Sequence, residues 1–323
     1  MPPDAIPELP EVIDPDEQQR TRIAWMYYVE GQTQAQIASR LGTNRIKVNR
    51  ELALCRDSGL VQIRINARLA SCVELERRLE VRYGLKEAVV VPSPGPGGEL
   101  YATLGVAVGS WITDRVHAGM TIGIGWGRTL HWSVRSIRRQ VEPTVTVVSL
   151  LGGLGRGSEL NTYETASRFA EVLGAQCYYL AAPTYASTPE LKEMLLDQGG
   201  IREIYQRGRS AELALVSVGS LVQGSTMRGL GLLTPEDLRT VQQQGAVGDL
   251  LGHLIDERGR VIDHPLNDRV VGLPPQDLGR IPHAVLVSGG PDKAPAMRGA
   301  LLGGYVNAVI TDEATAQTLL REP

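Results

Sequence analysis

Three glycine-rich stretches of this sequence end in or near a cation, and each has the composition of an anion-binding turn. They are Gly123-Ile-Gly-Trp-Gly-Arg-Thr129, Leu151-Gly-Gly-Leu-Gly-Arg156 with Asn161 and Glu164 behind it, and Ser288-Gly-Gly-Pro-Asp-Lys293. Glycine lets a backbone approach an anion closely, a following helix start turns its amides towards it, and arginine or lysine adds charge. Gly125, Arg128, Thr129, Gly153, Arg156, Asn161 and Lys293 are therefore candidate ligand contacts, converging on one small-anion pocket. Asp249, within Gly248-Asp-Leu-Leu-Gly252, adds a carboxylate able to accept hydrogen bonds from sugar hydroxyls, although an Asp beside Gly is also a common turn residue. The first stretch misses the Gly-x-Gly-x-x-Gly spacing, and Glu142 precedes the next strand instead of ending it. No nicotinamide or other cofactor is expected. The five histidines stand in no ligand spacing, and neither do the three cysteines, so no metal is expected either.

The elements that position these turns read as short β-branched runs alternating with longer amphipathic segments. The runs are Ala88–Pro92, Thr121–Gly125, Thr144–Ser149, Cys177–Ala181, Leu213–Val218, Ala284–Ser288 and Ala308–Ile310. Between them lie helical stretches such as Leu100–Val116, Thr129–Arg139, Thr162–Leu173, Pro235–Gln244 and Ala294–Leu302. Such alternation predicts an α/β, Rossmann-like domain over residues 85–323, with a mostly parallel sheet and helices on both faces. Ligands bind such sheets just beyond the strand C-termini, where these turns fall.

A different pattern occupies residues 18–66. Thr33 and Gln36 form a Thr-x-x-Gln capping box that opens a short helix, whose apolar face is Ile37, Ala38 and Leu41. Gly42 ends that helix, Asn44 is a plausible N-cap for the next, and Val48 and Leu52 supply its buried side. Gln34, Asn44, Arg45, Lys47, Asn49 and Arg50 are left to face outwards, with the chemistry to contact phosphates and base edges. This is the pattern of a helix-turn-helix. Ser58–Ile65 alternates like a strand, predicting a small β wing after it. From Arg20 to Asn66 there are eight basic and three acidic residues, although the whole chain carries −3, so the basic character is confined to one end. Residues 1–17, with five prolines and six acids, read as a disordered tail. The segment 67–84 reads as a linker helix, either a dimer contact or a cover for the larger domain. Apolar runs of membrane-spanning length and a signal-peptide pattern are absent, so a cytoplasmic protein with reduced thiols and no membrane partner is expected.

Several of these segments resemble the SorC family of bacterial transcriptional regulators: Tyr27–Gly31, Gly125–Leu130, Gly248-Asp249, Ser288–Lys293 and Thr311–Glu313. The resemblance spans the chain from about Arg20 onwards. It implies a DNA-binding head joined to a sugar-binding domain similar to glucosamine-6-phosphate deaminase and ribose-5-phosphate isomerase. It further implies a homodimer or homotetramer on double-stranded operator DNA, controlled by a sugar, sugar phosphate or polyol. By the same resemblance Arg128, Thr129, Arg156, Arg228, Asp249 and Lys293 fall where members bind effector. The recognition segment Ile46–Glu51 departs from the family's usual pattern, so no operator sequence carries over. The alternative is a sugar-phosphate isomerase or deaminase with a fused DNA-binding head, for which Asp249 and Glu164 are the acid/base candidates.

Overall fold

In the computed structural model of the chain, the described residues are 15–28, 30–58, 60–61, 67–95, 99–138, 143–155, 161–222 and 225–321. Two compact units divide at residue 66/67. The first contains α1 (Pro15–Tyr28), α2 (Gln34–Arg40) and α3 (Arg45–Asp57). Ile23 and Met26 of α1 meet Ile37 and Ala38 of α2 and Val48 and Leu52 of α3 in one small core. Helix α1 starts at Pro15, so the last three residues of the expected tail are helical. The rest of that tail, and most of the expected wing, lie outside the described residues.

The second unit opens with α4 (Ala67–Tyr83), β1 (Glu87–Val91), α5 (Leu100–Thr113), β2 (Thr121–Ile124) and α6 (Arg128–Ser133). It continues through β3 (Thr146–Ser149), α7 (Thr162–Leu173), β4 (Gln176–Tyr178), α8 (Pro189–Asp197), α9 (Gly199–Arg209), β5 (Leu213–Val216) and β6 (Val218–Ser220). Then come α10 (Thr226–Gly229), α11 (Pro235–Gln243), β7 (Ala246–Leu250), β8 (His253–Asp256), α12 (Pro265–Asp268) and α13 (Pro275–Leu278). The chain closes with β9 (His283–Val287), α14 (Ala294–Leu302), β10 (Ala308–Asp312) and α15 (Glu313–Arg321).

Seven strands form one sheet in the order β1-β10-β9-β5-β2-β3-β4, and every neighbouring pair is parallel. A parallel sheet needs crossover helices and buries both faces, which is why strands such as β5 read as continuous apolar runs. Val108 and Ile112 of α5, Leu130 of α6 and Phe169 and Leu173 of α7 build one core. Cys72, Leu75 and Leu79 of α4, Ala316 and Leu319 of α15 and Met297 of α14 join the other. Helix α4 thus covers the larger unit with its apolar face. The run Leu213–Val218, read as one strand, divides at Ser217. Its second part, β6, joins β7 and β8 in a separate antiparallel sheet. Among the described residues no helix is long and apolar enough to cross a membrane.

Candidate functional site

The chain moves outward from β2 through β3 to β4 and then returns to β5 on the other side of β2, so the strand order reverses between β2 and β5. Loops diverging at such a point leave a crevice beyond the strand C-termini. A cavity of about 300 Å³ lies there, lined by Leu100 and Tyr101 of α5, Arg128 of α6, Gly219 and Ser220 of β6, Ser225 and Thr226 at α10, and Gly289–Lys293 after β9. Two of the three glycine stretches therefore reach one place. The Arg128 guanidinium carbon stands 4.7 Å from the Tyr101 ring centroid, and the Lys293 Nζ 5.4 Å from it. Among the described residues neither cation is in a salt bridge.

Beneath them lies Asp249. It is a residue of the strand β7, not of a turn, and is only 1% exposed. Its register partner across the antiparallel ladder is Gly219, where a Cβ would collide with Asp249 Oδ1. The Asp249 carboxylate accepts the Gly252 N–H at 3.0 Å, and the Trp126 indole and Gly219 N–H also donate to it. Burial lifts its pKa to about 6, and these donors with the nearby Lys293 charge limit the rise. Lys293 shows the opposite shift. Partial burial, then repulsion from Arg128, bring its pKa down to about 8, and Asp249 pulls the other way.

The remaining candidates are placed differently. Thr129 is fully buried, and its hydroxyl, like those of Ser217, Ser225 and Ser288, has no hydrogen-bond partner among the described residues. Gly125 packs under Leu251 and Leu215 and does not line the cavity. Gly153 also lies away from it, and a Cβ there would strike the Tyr163 ring. Asn161 is the N-cap of α7, and its amide is committed to the backbone of Tyr163 and Leu154. Arg156 lies outside the described residues, and Arg228 is exposed on α10 without lining the cavity. Helix α6 has six residues before a 3₁₀ turn, so charge here comes from side chains more than from a helix terminus. Glu164 is paired with Arg168 at 2.7 Å and does not line the cavity; the carboxylate that does line it is Asp292. Sequence reasoning missed Tyr101, Ser220, Ser225 and Thr226. Only Tyr101, an aromatic in the first turn of a predicted helix, carried any signal.

In the small unit the capping box forms as its spacing predicts: Thr33 N–H donates to Gln36 Oε1 at 2.8 Å, and Gln36 N–H to Thr33 Oγ1 at 3.3 Å. Gly42, at φ +63°, makes the left-handed turn. Asn44 caps α3 by accepting the Lys47 N–H at 2.8 Å, which commits its side-chain oxygen to the backbone. Gln34 joins the helices: its amide donates to Asn49 Oδ1 at 3.2 Å, and its carbonyl accepts Arg45 Nε–H at 3.4 Å. Arg50 is outward but turns towards the buried Glu51, 3.1 Å away, which also holds Arg20 at 3.2 Å. Lys47 is exposed and makes no side-chain bond among the described residues.

A helix-turn-helix unit and a parallel α/β unit with a cationic crevice at its switch point together define an effector-responsive DNA-binding protein. A family model described as "Putative sugar-binding domain" matches residues 67–321. The chain is 33% identical to the erythritol catabolism regulatory protein EryD of Brucella abortus, over 96% of this chain and 98% of that protein. It is 32% identical to the deoxyribonucleoside regulator of Bacillus subtilis, over 93% and 96% of the two chains. The crystal structure of the full-length sorbitol operon regulator SorC from Klebsiella pneumoniae superimposes with a TM-score of 0.72 at 25% identity, covering 94% of this chain and 99% of that one. The chain belongs to the SorC family of bacterial transcriptional regulators. It is a regulator of transcription with a sugar-binding domain over residues 67–321, and the relatives that show this are named as regulators and not as enzymes.

Proposed function

We propose that this regulator binds a phosphorylated sugar or polyol in the crevice between Tyr101, Arg128, Ser225 and Lys293, and that this binding sets its affinity for operator DNA. The convergence on one aromatic ring of two cations that form no salt bridge among the described residues carries the proposal. A phosphate gains charge-assisted hydrogen bonds from Arg128 and Lys293, at about 1.5–3 kcal/mol each. A neutral polyol gains little from either. Hydroxyls of the same ligand fall to Ser220, Ser225 and Thr226, while Asp249 works from below by holding Gly219 and the Lys293 charge in place. Relatives named for erythritol and deoxyribonucleoside metabolism agree with a small hydroxylated effector.

The helix-turn-helix contacts double-stranded operator DNA through Arg45, Lys47 and Asn49, with Gln34 fixing two of the three. Operator binding places the protein in the bacterial cytoplasm. Paired half-sites would be met by a dimer or tetramer, as helix-turn-helix proteins commonly do. Calorimetric titration of the full chain with tetrose to hexose phosphates and their dephosphorylated counterparts tests the effector. Saturable binding of a phosphorylated member, with none of its neutral counterpart, is the expected result. Binding of the neutral sugars alone would overturn the phosphate assignment.

A further inference from the structure

Ile46 is 83% exposed at the second position of α3. The buried side of that helix is Val48, Leu52 and Cys55. Ile46, Asn49, Arg50 and Ala53 follow at i, i+3, i+4 and i+7, so they share the opposite face. Every large apolar residue in the small unit's core comes from elsewhere, which leaves Ile46 no part in folding. A lone exposed aliphatic residue is ordinary on a protein surface. This one stands in a ring of polar groups, Arg45, Lys47, Asn49 and Arg50, at the N-terminal end of the helix that enters the groove in such motifs.

We propose that Ile46 is a specificity-determining residue that reads the C5-methyl group of a thymine in the major groove. The inference rests on the operator binding proposed above. In that groove the thymine methyl is the one apolar group on the base edges, so it is the complement an exposed sec-butyl side chain can find. Asn49 suits adenine, to which its amide can donate and from which it can accept. Its orientation is held by Gln34, whose amide donates to Asn49 Oδ1. Three residues of helix rise about 4.5 Å, close to the roughly 3.4 Å step between stacked bases. Asn49 and Ile46 are therefore spaced to read neighbouring base pairs, an adenine and a thymine one step apart. The methyl contact adds a preference that Arg45 and Lys47 cannot supply, because neither distinguishes thymine from other bases by an apolar group.

The test enriches duplexes from a random-sequence library with the full-length protein and replaces each thymine of the enriched site by deoxyuridine in turn. At one thymine the loss of the methyl should weaken the parent protein about fourfold, the value of burying one such group. Ile46→Ala should bind the enriched duplex about tenfold more weakly and treat thymine and deoxyuridine alike at that position, with Ile46→Val between. Helix α3 tolerates both changes, since the side chain is outside the core. An Ile46→Ala protein that keeps parental affinity, or that still senses the methyl, overturns the inference and leaves operator binding standing. If no duplex is enriched, operator binding and the inference fall together.

Discussion

Lys293 and Tyr101 are in contact as cation and ring, with Nζ 5.4 Å from the ring centroid, and Arg128 stands 4.7 Å from the same centroid. One ring thereby helps to hold two cations that repel each other, a repulsion that contributes to the lowered Lys293 pKa. Cation–π attraction at a part-exposed site is worth about 0.5–1 kcal/mol. Tyr101→Phe should bind a phosphorylated effector nearly as well as the parent, because the ring remains. Tyr101→Ala should bind it several-fold more weakly. Calorimetry on the two variants checks this, and equal loss in both would transfer the role from the ring to the hydroxyl.

Lys293 gives a pH signature. With its pKa near 8 the ammonium is charged below that pH and neutral above it. Affinity for a phosphorylated effector should therefore fall as pH rises from about 7 to 9.5, with proton uptake on binding near pH 8. Lys293→Ala should weaken binding at neutral pH by tenfold or more, roughly 1.4 kcal/mol, and remove that pH dependence. The stability effect has the opposite direction. The folded chain binds fewer protons at Lys293 than the unfolded one between about pH 8 and 10.5, so this residue's contribution to stability rises across that window. Calorimetry in buffers of different ionisation enthalpy would register the proton uptake.

Asp249 should behave as a buried positioning group. Its folded pKa, about 6, lies above the ordinary 3.8, so the folded chain holds more protons there between these values. Stability from this site is therefore greatest at low pH and is lost as pH rises through about 6. Asp249→Asn should gain in melting temperature relative to the parent as pH climbs from about 4 to 7. It should also bind effector more weakly, having lost the charge that supports Lys293. Melting curves of both proteins across that range test the sign, and a constant difference would contradict it.

Gln34 links α2 to two of the proposed base-reading side chains. Gln34→Ala should leave the fold intact and weaken discrimination between enriched and random duplexes by about 1–3 kcal/mol, the scale of one lost base contact. Thr33→Ala, which removes a cap, should instead cost about 1 kcal/mol of stability in the small unit. Anisotropy titrations and thermal melts separate the two effects.

Local chemistry was legible in the sequence and long-range pairing was not. Thr33 and Gln36 are three residues apart, and their reciprocal bonds form as the spacing predicts. The helix Thr162–Leu173 and the strand-helix alternation likewise follow from periods within one element. The sequence leaves Asp249 open between a hydroxyl acceptor and a turn residue because its environment depends on Gly219, thirty positions away across an antiparallel ladder. Asn161 was read as a ligand contact although Asn before Thr-x-x is also an N-cap pattern, and the cap is what forms. Helix α8 starts at the Thr188–Pro189 pair, a start signal that the apolar pattern around it did not reinforce. Tyr101 joins the site through the packing of α5 against α6, the helix that carries Arg128.

The central claim is that a phosphorylated ligand held by Arg128 and Lys293 controls operator binding. Anisotropy of an enriched duplex, titrated with the full-length protein with and without each sugar phosphate, measures it directly. The account predicts that one phosphorylated ligand shifts the DNA affinity of the parent by at least about fivefold, the lower range of allosteric coupling. The Arg128→Ala/Lys293→Ala protein should bind the same duplex with parental affinity and show no shift. A double variant that still responds to the ligand at full strength would contradict the account.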